Sequence, residues 1–318
     1  MTEISYRPLG RSGLMVSTIG MGGNNFGRTG TATETQEGTT AMVDAAIELG
    51  VTLIDTADIY GGRGLSESLL GVALAGRRDD VVIATKWGHP QFDMGIAPGS
   101  AKGSRTYIRA AIEGSLTRLN TDHVELYQMH GPDPVTPIEE TIGALQELVT
   151  EGKIQHFGHS NFSARQIDAA DDAAAALGGP RFESAQDEYS LLARGVERDV
   201  LPAVRSHGLG FLPYFPLYNG LLTGKFTRNE HPGDSRLTRQ KPELLEDVPW
   251  DTLERYQTLC EARGITMLEA TFGWLLAQPN LTSVIAGATR PQQLAQNAAA
   301  ASVDLSAEDV AAISEIFV

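Results

Sequence analysis

Short apolar runs alternate with longer amphipathic segments along the whole chain. The apolar runs predict eight strands, near residues 18–22, 51–55, 81–85, 123–128, 153–158, 182–187, 209–214 and 282–286. The segments between them predict helices near 35–49, 65–76, 104–119, 138–150, 163–177, 196–207, 251–278 (two helices) and 291–301, with a final helix near 306–316. Strands that alternate with helices are typical of βα units and a parallel sheet. Eight such units predict an α/β fold of the (β/α)8 TIM-barrel type with a C-terminal extra helix.

Two segments do not follow this alternation of strands and helices. Residues 6–17, with Gly-Arg-Ser-Gly in the middle, predict an N-terminal β-hairpin that could close the floor of the barrel. Residues 215–250 follow the seventh strand and are rich in glycine and proline, so they predict a long irregular loop. Because loops after barrel strands lie on the catalytic face, this loop is expected to border the functional site.

Length and charge limit the classes of function. A chain of 318 residues fits a single barrel domain spanning 1–318. The net charge of −15 argues against binding to nucleic acid or to an anionic membrane surface. The single cysteine excludes an internal disulfide. With no apolar run of membrane-spanning length and no signal-like N-terminus, we expect a cytoplasmic protein, either a monomer or a small homo-oligomer.

Four residues with ionisable side chains follow or end predicted strands. They are Asp55 and, five residues later, Tyr60; Lys86; and His130. In a parallel barrel the carboxyl ends of the strands meet at one face, so acid, phenol, amine and imidazole are expected to share one small space. This combination suits proton transfer. Taken singly, each residue has a structural alternative, since a lone tyrosine usually packs and an Asp–Lys pair is often a structural ion pair.

Common nucleotide and metal motifs are absent from the sequence. Residues 20–25 have asparagine where the third glycine of a dinucleotide fingerprint belongs, and residues 220–226 miss the P-loop spacing. No histidine pair has metal-ligand spacing, so no metal is expected.

Seven motifs together resemble the aldo-keto reductase superfamily. They occupy residues 9–17 (LGRSGLMVS), 55–61 (DTADIYG), 84–86 (ATK), 130–134 (HGPDP), 158–162 (GHSNF), 186–190 (QDEYS) and 220–225 (GLLTGK). They occur in the family's order and cover nearly the whole chain. The resemblance implies a barrel that binds NADP(H) in extended form and reduces a small-molecule carbonyl substrate.

The resemblance also implies roles for the four strand-end residues. Tyr60 is the expected general acid, Lys86 is expected to lower its pKa, and Asp55 is expected to orient Lys86. His130 is expected to donate a hydrogen bond to the substrate oxygen.

Further positions match the family's cofactor-binding residues. The nicotinamide end is assigned to Ser160, Asn161, Gln186 and the stacking Tyr214, together with Gly22. Taken alone, Ser160-Asn161 also reads as a helix cap. The pyrophosphate loop is assigned to Phe215, Pro216, Leu217, Gly220, Leu222, Gly224 and Lys225. The adenosine end is assigned to Gly287, Ala288, Arg290, Gln293 and Asn297, with Arg290 facing a 2′-phosphate. Arg290 also fits a solvated surface charge.

Trp87, Phe92 and Tyr218 are predicted walls of an apolar substrate pocket. His159 stands where the family often has valine or isoleucine, and it is expected to alter the floor of the nicotinamide site. The function predicted is reduction of an aldehyde, ketone or open-chain sugar. The alternatives are a sugar or alcohol dehydrogenase working in the oxidative direction, and a nicotinamide-binding regulatory subunit such as the potassium channel β-subunits of similar fold.

Overall fold

A parallel eight-stranded barrel forms the centre of the protein in the computed structural model, which describes residues 4–233 and 235–318. A short antiparallel hairpin, β1 (Tyr6–Pro8) and β2 (Met15–Ser17), precedes the barrel. The barrel strands follow in chain order: β3 (Ile19–Gly22), β4 (Leu53–Asp55), β5 (Val82–Trp87), β6 (Val124–Met129), β7 (Ile154–Ser160), β8 (Phe182–Gln186), β9 (Gly210–Phe211) and β10 (Val284–Gly287). All eight predicted strands are therefore confirmed.

Backbone hydrogen bonds close the sheet into a barrel. The strand order β10-β3-β4-β5-β6-β7-β8-β9 leaves β9 and β10 at the two edges. Phe211 N–H donates to the carbonyl of Asn280 at 2.8 Å, and Thr282 N–H donates to the carbonyl of Phe211 at 2.9 Å. Ile285 N–H also reaches the carbonyl of Pro213 at 3.0 Å. The predicted (β/α)8 barrel is thus confirmed.

Helices cover the outside of the sheet. They are α1 (Gln36–Leu49), α2 (Leu65–Ala73), α3 (Arg105–Leu119), α4 (Ile138–Thr150), α5 (Ala164–Leu177), α6 (Val200–Ser206), α7 (Arg236–Gln240), α8 (Trp250–Arg263), α9 (Met267–Leu276), α10 (Pro291–Ala300) and α11 (Ala307–Ile316). The predicted division of 251–278 into two helices has a local cause. Gly264 ends α8 at φ +68°, and Thr266 with Glu269 forms a capping box that starts α9.

The hairpin closes the N-terminal end of the barrel, as predicted. Leu9 and Val16 are fully buried against Leu53, Ala84 and Leu126 inside the barrel. At the tip, Gly10 has φ +55°, and an added Cβ would lie 2.4 Å from the carbonyl oxygen of Glu183 and 2.9 Å from the amide nitrogen of Gly210. Only glycine fits this close approach. The opposite, carboxyl end of the strands is therefore the end available to a ligand.

The loop after β9 is more ordered than the sequence predicts. It contains a 3-10 segment at Tyr218–Thr223, the helix α7 and a second 3-10 segment at Pro242–Leu245. Each of these segments is too short for its sequence to show a helical period of apolar residues. Arg239 donates to the carbonyl of Gly30 at 3.4 Å, which links this loop to the loop that follows β3.

Within the described residues, no helix is long and apolar enough to cross a membrane. The single-domain organisation over 1–318 stays a prediction.

Candidate active site

The four strand-end side chains converge at the carboxyl end of the barrel. Asp55 is the last residue of β4, Lys86 lies in β5, and His130 directly follows β6. Tyr60 lies in the turn between β4 and α2. Adjacent strands pair in register, so their ends bring these groups together as the barrel geometry predicts.

A buried ion pair forms the base of this group. Lys86 Nζ lies 2.7 Å from both carboxylate oxygens of Asp55 and donates to the carbonyl of Thr56 at 2.9 Å. Lys86 is fully buried and Asp55 is 3% exposed. Burial lowers the pKa of the Lys86 amine, but the charge of Asp55 outweighs this effect and raises it overall. Lys86 is therefore an ammonium ion at neutral pH.

The pKa of Tyr60 differs from the sequence-based expectation. Lys86 Nζ lies 3.4 Å from Tyr60 Oη and 5.1 Å from its ring centroid. Burial raises the pKa of the phenol, and the Lys86 charge opposes this only in part, so the net pKa is raised rather than lowered. A phenol that stays protonated can donate a proton, which is the requirement for a general acid.

His130 faces Tyr60 across the site. Their rings are 5.8 Å apart in an edge-on arrangement. Burial, with the charge of Lys86, holds the pKa of His130 well below its usual range. His130 is therefore neutral and can present one N–H to an acceptor. Its Nδ1 has no hydrogen-bond partner within the described residues.

The predicted nicotinamide-end residues form one hydrogen-bonded group. Asn161 Nδ2 donates to Ser160 Oγ at 2.9 Å, and Tyr214 Oη donates to Asn161 Oδ1 at 2.9 Å. Gln186 Nε2 donates to Asp55 Oδ1 at 2.8 Å, which connects this group to the ion pair. Hydroxyl and amide groups provide both donors and acceptors, so this set fits a carboxamide. The hydrogen bond to Asn161 places Tyr214 beside this group.

The remaining predicted cofactor positions lie at the same end of the barrel. Gly22 and Gly287 pair with each other at the ends of β3 and β10. Phe215, Tyr218 and Gly220 adopt positive φ values of 51°, 43° and 99° in the loop after β9. The same loop carries Pro216, Leu217, Leu222, Gly224 and Lys225.

The adenosine-end positions surround the first turns of α10. Arg290 is its N-cap residue and is exposed, and Gln293 accepts hydrogen bonds from Thr289. Ala288 and Asn297 are buried. Leu222, in the loop after β9, is buried as well. The fully buried side chain of Leu222 therefore supports the loop and offers a ligand no surface.

Two side chains have contacts that differ from the roles predicted for them. Trp87 is fully buried, stacks on Tyr127 at 4.4 Å and donates from Nε1 to the carbonyl of Lys102. It packs between sheet and helices because it follows the inward-facing Lys86, and neighbouring strand residues face opposite sides. His159 likewise precedes the inward Ser160 and stacks on Phe162 at 4.6 Å, away from the nicotinamide-end group. Of the other pocket positions, Phe92 is 45% exposed and Tyr218 is half-buried.

Asp58 is a buried acid near the site that the sequence reasoning did not single out. It is fully buried, its N–H donates to the carbonyl of Lys86 at 3.1 Å, and no side chain hydrogen bonds to its carboxylate within the described residues. Burial, together with the charge of Glu67, raises the pKa of Asp58 to about 7. The available signal was a second carboxylate three residues after Asp55.

Asp58→Asn is expected to stabilise the protein at high pH. Because the folded pKa is above the unfolded value, the unfolded state ionises first as the pH rises, and wild type loses stability between about pH 4 and 7. Asparagine does not titrate. The variant's advantage in free energy of unfolding should therefore grow by roughly 2–3 kcal/mol between pH 5 and 8. Urea unfolding at both pH values checks this, and a difference that does not change with pH would contradict it.

Metal-ligand side chains do not cluster among the described residues. Across residues 4–233 and 235–318, no group of three or more His, Cys, Asp or Glu side chains could hold a metal ion.

Sequence comparison identifies the family. The profile of the aldo/keto reductase family matches residues 18–317. YrpG, an uncharacterized oxidoreductase of Bacillus subtilis (strain 168), is 37% identical over 322 residues, covering 99% of this chain and 96% of that protein. A probable voltage-gated potassium channel subunit beta of Oryza sativa subsp. japonica is 35% identical over 308 residues, covering 92% and 90%. The NADH-specific methylglyoxal reductase of Escherichia coli (strain K12) is 33% identical over 326 residues, covering 97% of each. The chain therefore belongs to the aldo/keto reductase family.

Proposed function

We propose that the protein is an NADP(H)-dependent reductase that converts an aldehyde, ketone or open-chain sugar carbonyl to the alcohol. The observation that carries the proposal is the convergence of Tyr60, Lys86, Asp55 and His130 at the carboxyl end of the barrel. A cytoplasmic location and a monomer or small homo-oligomer belong to the same proposal. The net charge of −15 favours a small-molecule partner over nucleic acid or a membrane surface.

Each of the four residues has a distinct part in carbonyl reduction. When bound, a reduced nicotinamide cofactor supplies the hydride that adds to the carbonyl carbon. Tyr60 donates its proton to the carbonyl oxygen, and Lys86, 3.4 Å away, stabilises the phenolate that remains. Asp55 holds Lys86 charged and in place. The neutral His130 donates a hydrogen bond to the same oxygen and fixes which face of the carbonyl is presented.

The residues of the nicotinamide-end group suit the proposed cofactor. Ser160, Asn161 and Gln186 would hold the carboxamide, and Tyr214 would stack on the ring. The loop around Gly220, with its backbone in the left-handed region, would follow the pyrophosphate, and the start of α10 would receive the adenosine end.

Turnover with defined substrates tests the proposal. Purified protein is supplied with NADPH or NADH and with a panel of aldehydes, ketones and aldoses, and loss of reduced cofactor is followed by absorbance. Sustained turnover with NADPH supports it. Tight cofactor binding without turnover of any carbonyl would favour the regulatory-subunit alternative, which the similarity to a channel β-subunit keeps open. Faster turnover of alcohols with NADP+ would favour the oxidative direction.

Arg290→Ala is expected to remove a preference for NADPH over NADH. The 2′-phosphate adds about two negative charges, so a local cation has to offset the repulsion from an acidic protein. Arg290 is exposed at the start of α10, and its side chain makes no hydrogen bond or ion pair with another residue in the described part of the chain. A charge-assisted contact contributes about 1.5–3 kcal/mol, which corresponds to roughly one to two orders of magnitude in affinity.

Fluorescence titration with both cofactors measures this preference. Arg255→Ala is a matched control, because Arg255 is an exposed arginine on α8. It should leave both affinities unchanged. If wild type binds NADPH and NADH equally, or if Arg290→Ala keeps a preference for NADPH, Arg290 does not recognise the 2′-phosphate. The similarity to an NADH-specific reductase makes this outcome a direct test of the cofactor proposal.

A further inference from the structure

We propose that His89 determines substrate specificity by hydrogen bonding to an oxygen on the carbon next to the substrate carbonyl. The preferred substrates are then α-oxygenated carbonyl compounds, meaning α-hydroxyaldehydes and 2-oxoaldehydes. The inference rests on the proposed reductase function and narrows its substrate class.

His89 extends the line of rings that begins with Tyr60 and His130. It lies in the loop between β5 and α3, at the carboxyl end of the barrel. The ring centroids of His89 and His130 are 4.7 Å apart with an interplanar angle of 87°, and those of His130 and Tyr60 are 5.8 Å apart. On this proposal, a substrate whose carbonyl oxygen is held by Tyr60 and His130 has its neighbouring carbon facing His89, the ring that His130 contacts.

Local contacts set the protonation of His89. The N–H of Gln91 donates to His89 Nδ1 at 3.3 Å, so Nδ1 is the acceptor and the ring proton is on Nε2. Burial, together with the charge of Lys102, lowers the pKa of His89, so the ring is neutral at pH 7. Within the described residues, Nε2 has no hydrogen-bond partner, which leaves one N–H donor for a ligand oxygen.

Lys102 holds the loop that carries His89. Its Nζ donates to the carbonyls of His89, of Pro90 at 3.1 Å and of Phe92 at 2.8 Å. The carbonyl of Lys102 in turn accepts from Trp87 Nε1 at 3.0 Å. A short turn fixed through three carbonyls is preorganised, so contact with a substrate costs little additional ordering. This arrangement gives the buried Trp87 a function as the anchor of the loop.

The Nε2–H of His89 distinguishes substrates that carry an acceptor oxygen on the carbon next to the carbonyl from those that do not. A hydroxyl or keto oxygen on the α-carbon accepts a hydrogen bond, whereas a simple aldehyde has only hydrogen there. One neutral hydrogen bond to this oxygen corresponds to roughly a 3- to 10-fold difference in kcat/KM between an α-oxygenated and a simple aldehyde. Phe92, half exposed beside His89 with ring centroids 6.4 Å apart, offers an apolar surface to the rest of the substrate.

A matched pair of substrates tests the inference. Glycolaldehyde and acetaldehyde differ by one hydroxyl, and kcat/KM for each is measured as free aldehyde with saturating NADPH. We expect wild type to favour glycolaldehyde. His89→Ala should lower that ratio by about 3- to 10-fold while acetaldehyde turnover stays within about 2-fold. His89→Gln, whose amide N–H takes the place of Nε2–H, should keep much of the preference.

Two further variants make the experiment specific. His123→Ala is the matched control, because His123 directly precedes β6 at the opposite end of the barrel, and it should leave the ratio unchanged. Lys102→Met removes the clamp and should move the ratio toward that of His89→Ala.

The outcomes separate this inference from the proposed function. An equal fall for both aldehydes in His89→Ala would mean a structural role, and an unchanged ratio would mean no contact; either result overturns the inference and leaves the reductase function standing. If wild type reduces neither aldehyde nor any carbonyl of the wider panel, the proposed function fails, and the inference fails with it.

Discussion

Tyr60→Phe is expected to lower kcat by about 10²–10⁴-fold, because the variant keeps the ring but loses the proton that the carbonyl oxygen needs. Among the described residues, Lys86 Nζ is the only cation within hydrogen-bonding distance of Tyr60 Oη. Because Lys86 is paired with Asp55, water would have to supply the proton in the variant. NADP(H) affinity should stay nearly unchanged, since the phenol acts on the substrate.

Steady-state kinetics and cofactor titration check this prediction together. Tyr6→Phe is the matched control, because Tyr6 lies in the floor hairpin and its hydroxyl donates to the carbonyl of Gly50. A Tyr60→Phe variant that keeps more than about a tenth of kcat would remove Tyr60 from the role of general acid.

Lys86→Met is expected to destabilise the fold by about 3–5 kcal/mol, because it leaves the Asp55 carboxylate buried without its counter-charge. Gln186 at 2.8 Å and Gln128 at 3.5 Å would remain as donors to Asp55, and an amide does not neutralise a charge. The double variant Asp55→Asn with Lys86→Met removes both charges and should recover most of the lost stability. Both proteins should lack carbonyl reduction.

Urea unfolding measures these differences in the free energy of unfolding. Lys153→Met is the matched control, since Lys153 pairs with Glu113 and Glu151 at the surface and such pairs contribute about 0–1 kcal/mol. A Lys86→Met variant within 1 kcal/mol of wild type, or a double variant no more stable than the single one, would show that the ion pair is not what holds Asp55 in the barrel.

Local patterns in the sequence predicted most of the fold. Apolar runs with turn residues between them located all eight strands, and the division predicted within 251–278 falls at Gly264 and Thr266, between α8 and α9. Both depend on the period of side chains along a strand or helix and on caps within a few residues. The order of strands also brought Asp55, Lys86 and His130 to one end, because every parallel strand of a barrel finishes there.

The facing of single side chains was predictable in part. Lys86 and Trp87 are neighbours on β5, and alternation means that only one of them can face the barrel interior. The same holds for His159 and Ser160 on β7. Trp87 and His159 are fully buried against other aromatic rings, so their contacts lend no support to the substrate pocket or the nicotinamide floor, and both assignments stay predictions.

Only the tertiary structure decided the properties that depend on burial and on contacts distant in sequence. The raised pKa of Tyr60 results from removal of water by the whole site, which outweighs one nearby cation, and the raised pKa of Asp58 has the same cause. The contact between His89 and His130 joins loops from two strands, and Lys102 reaches back across its own loop to fix it. Sequence by itself therefore determined which residues end the strands, whereas packing decided how each is charged and which group stands beside it, since desolvation and distance are defined only in the folded chain.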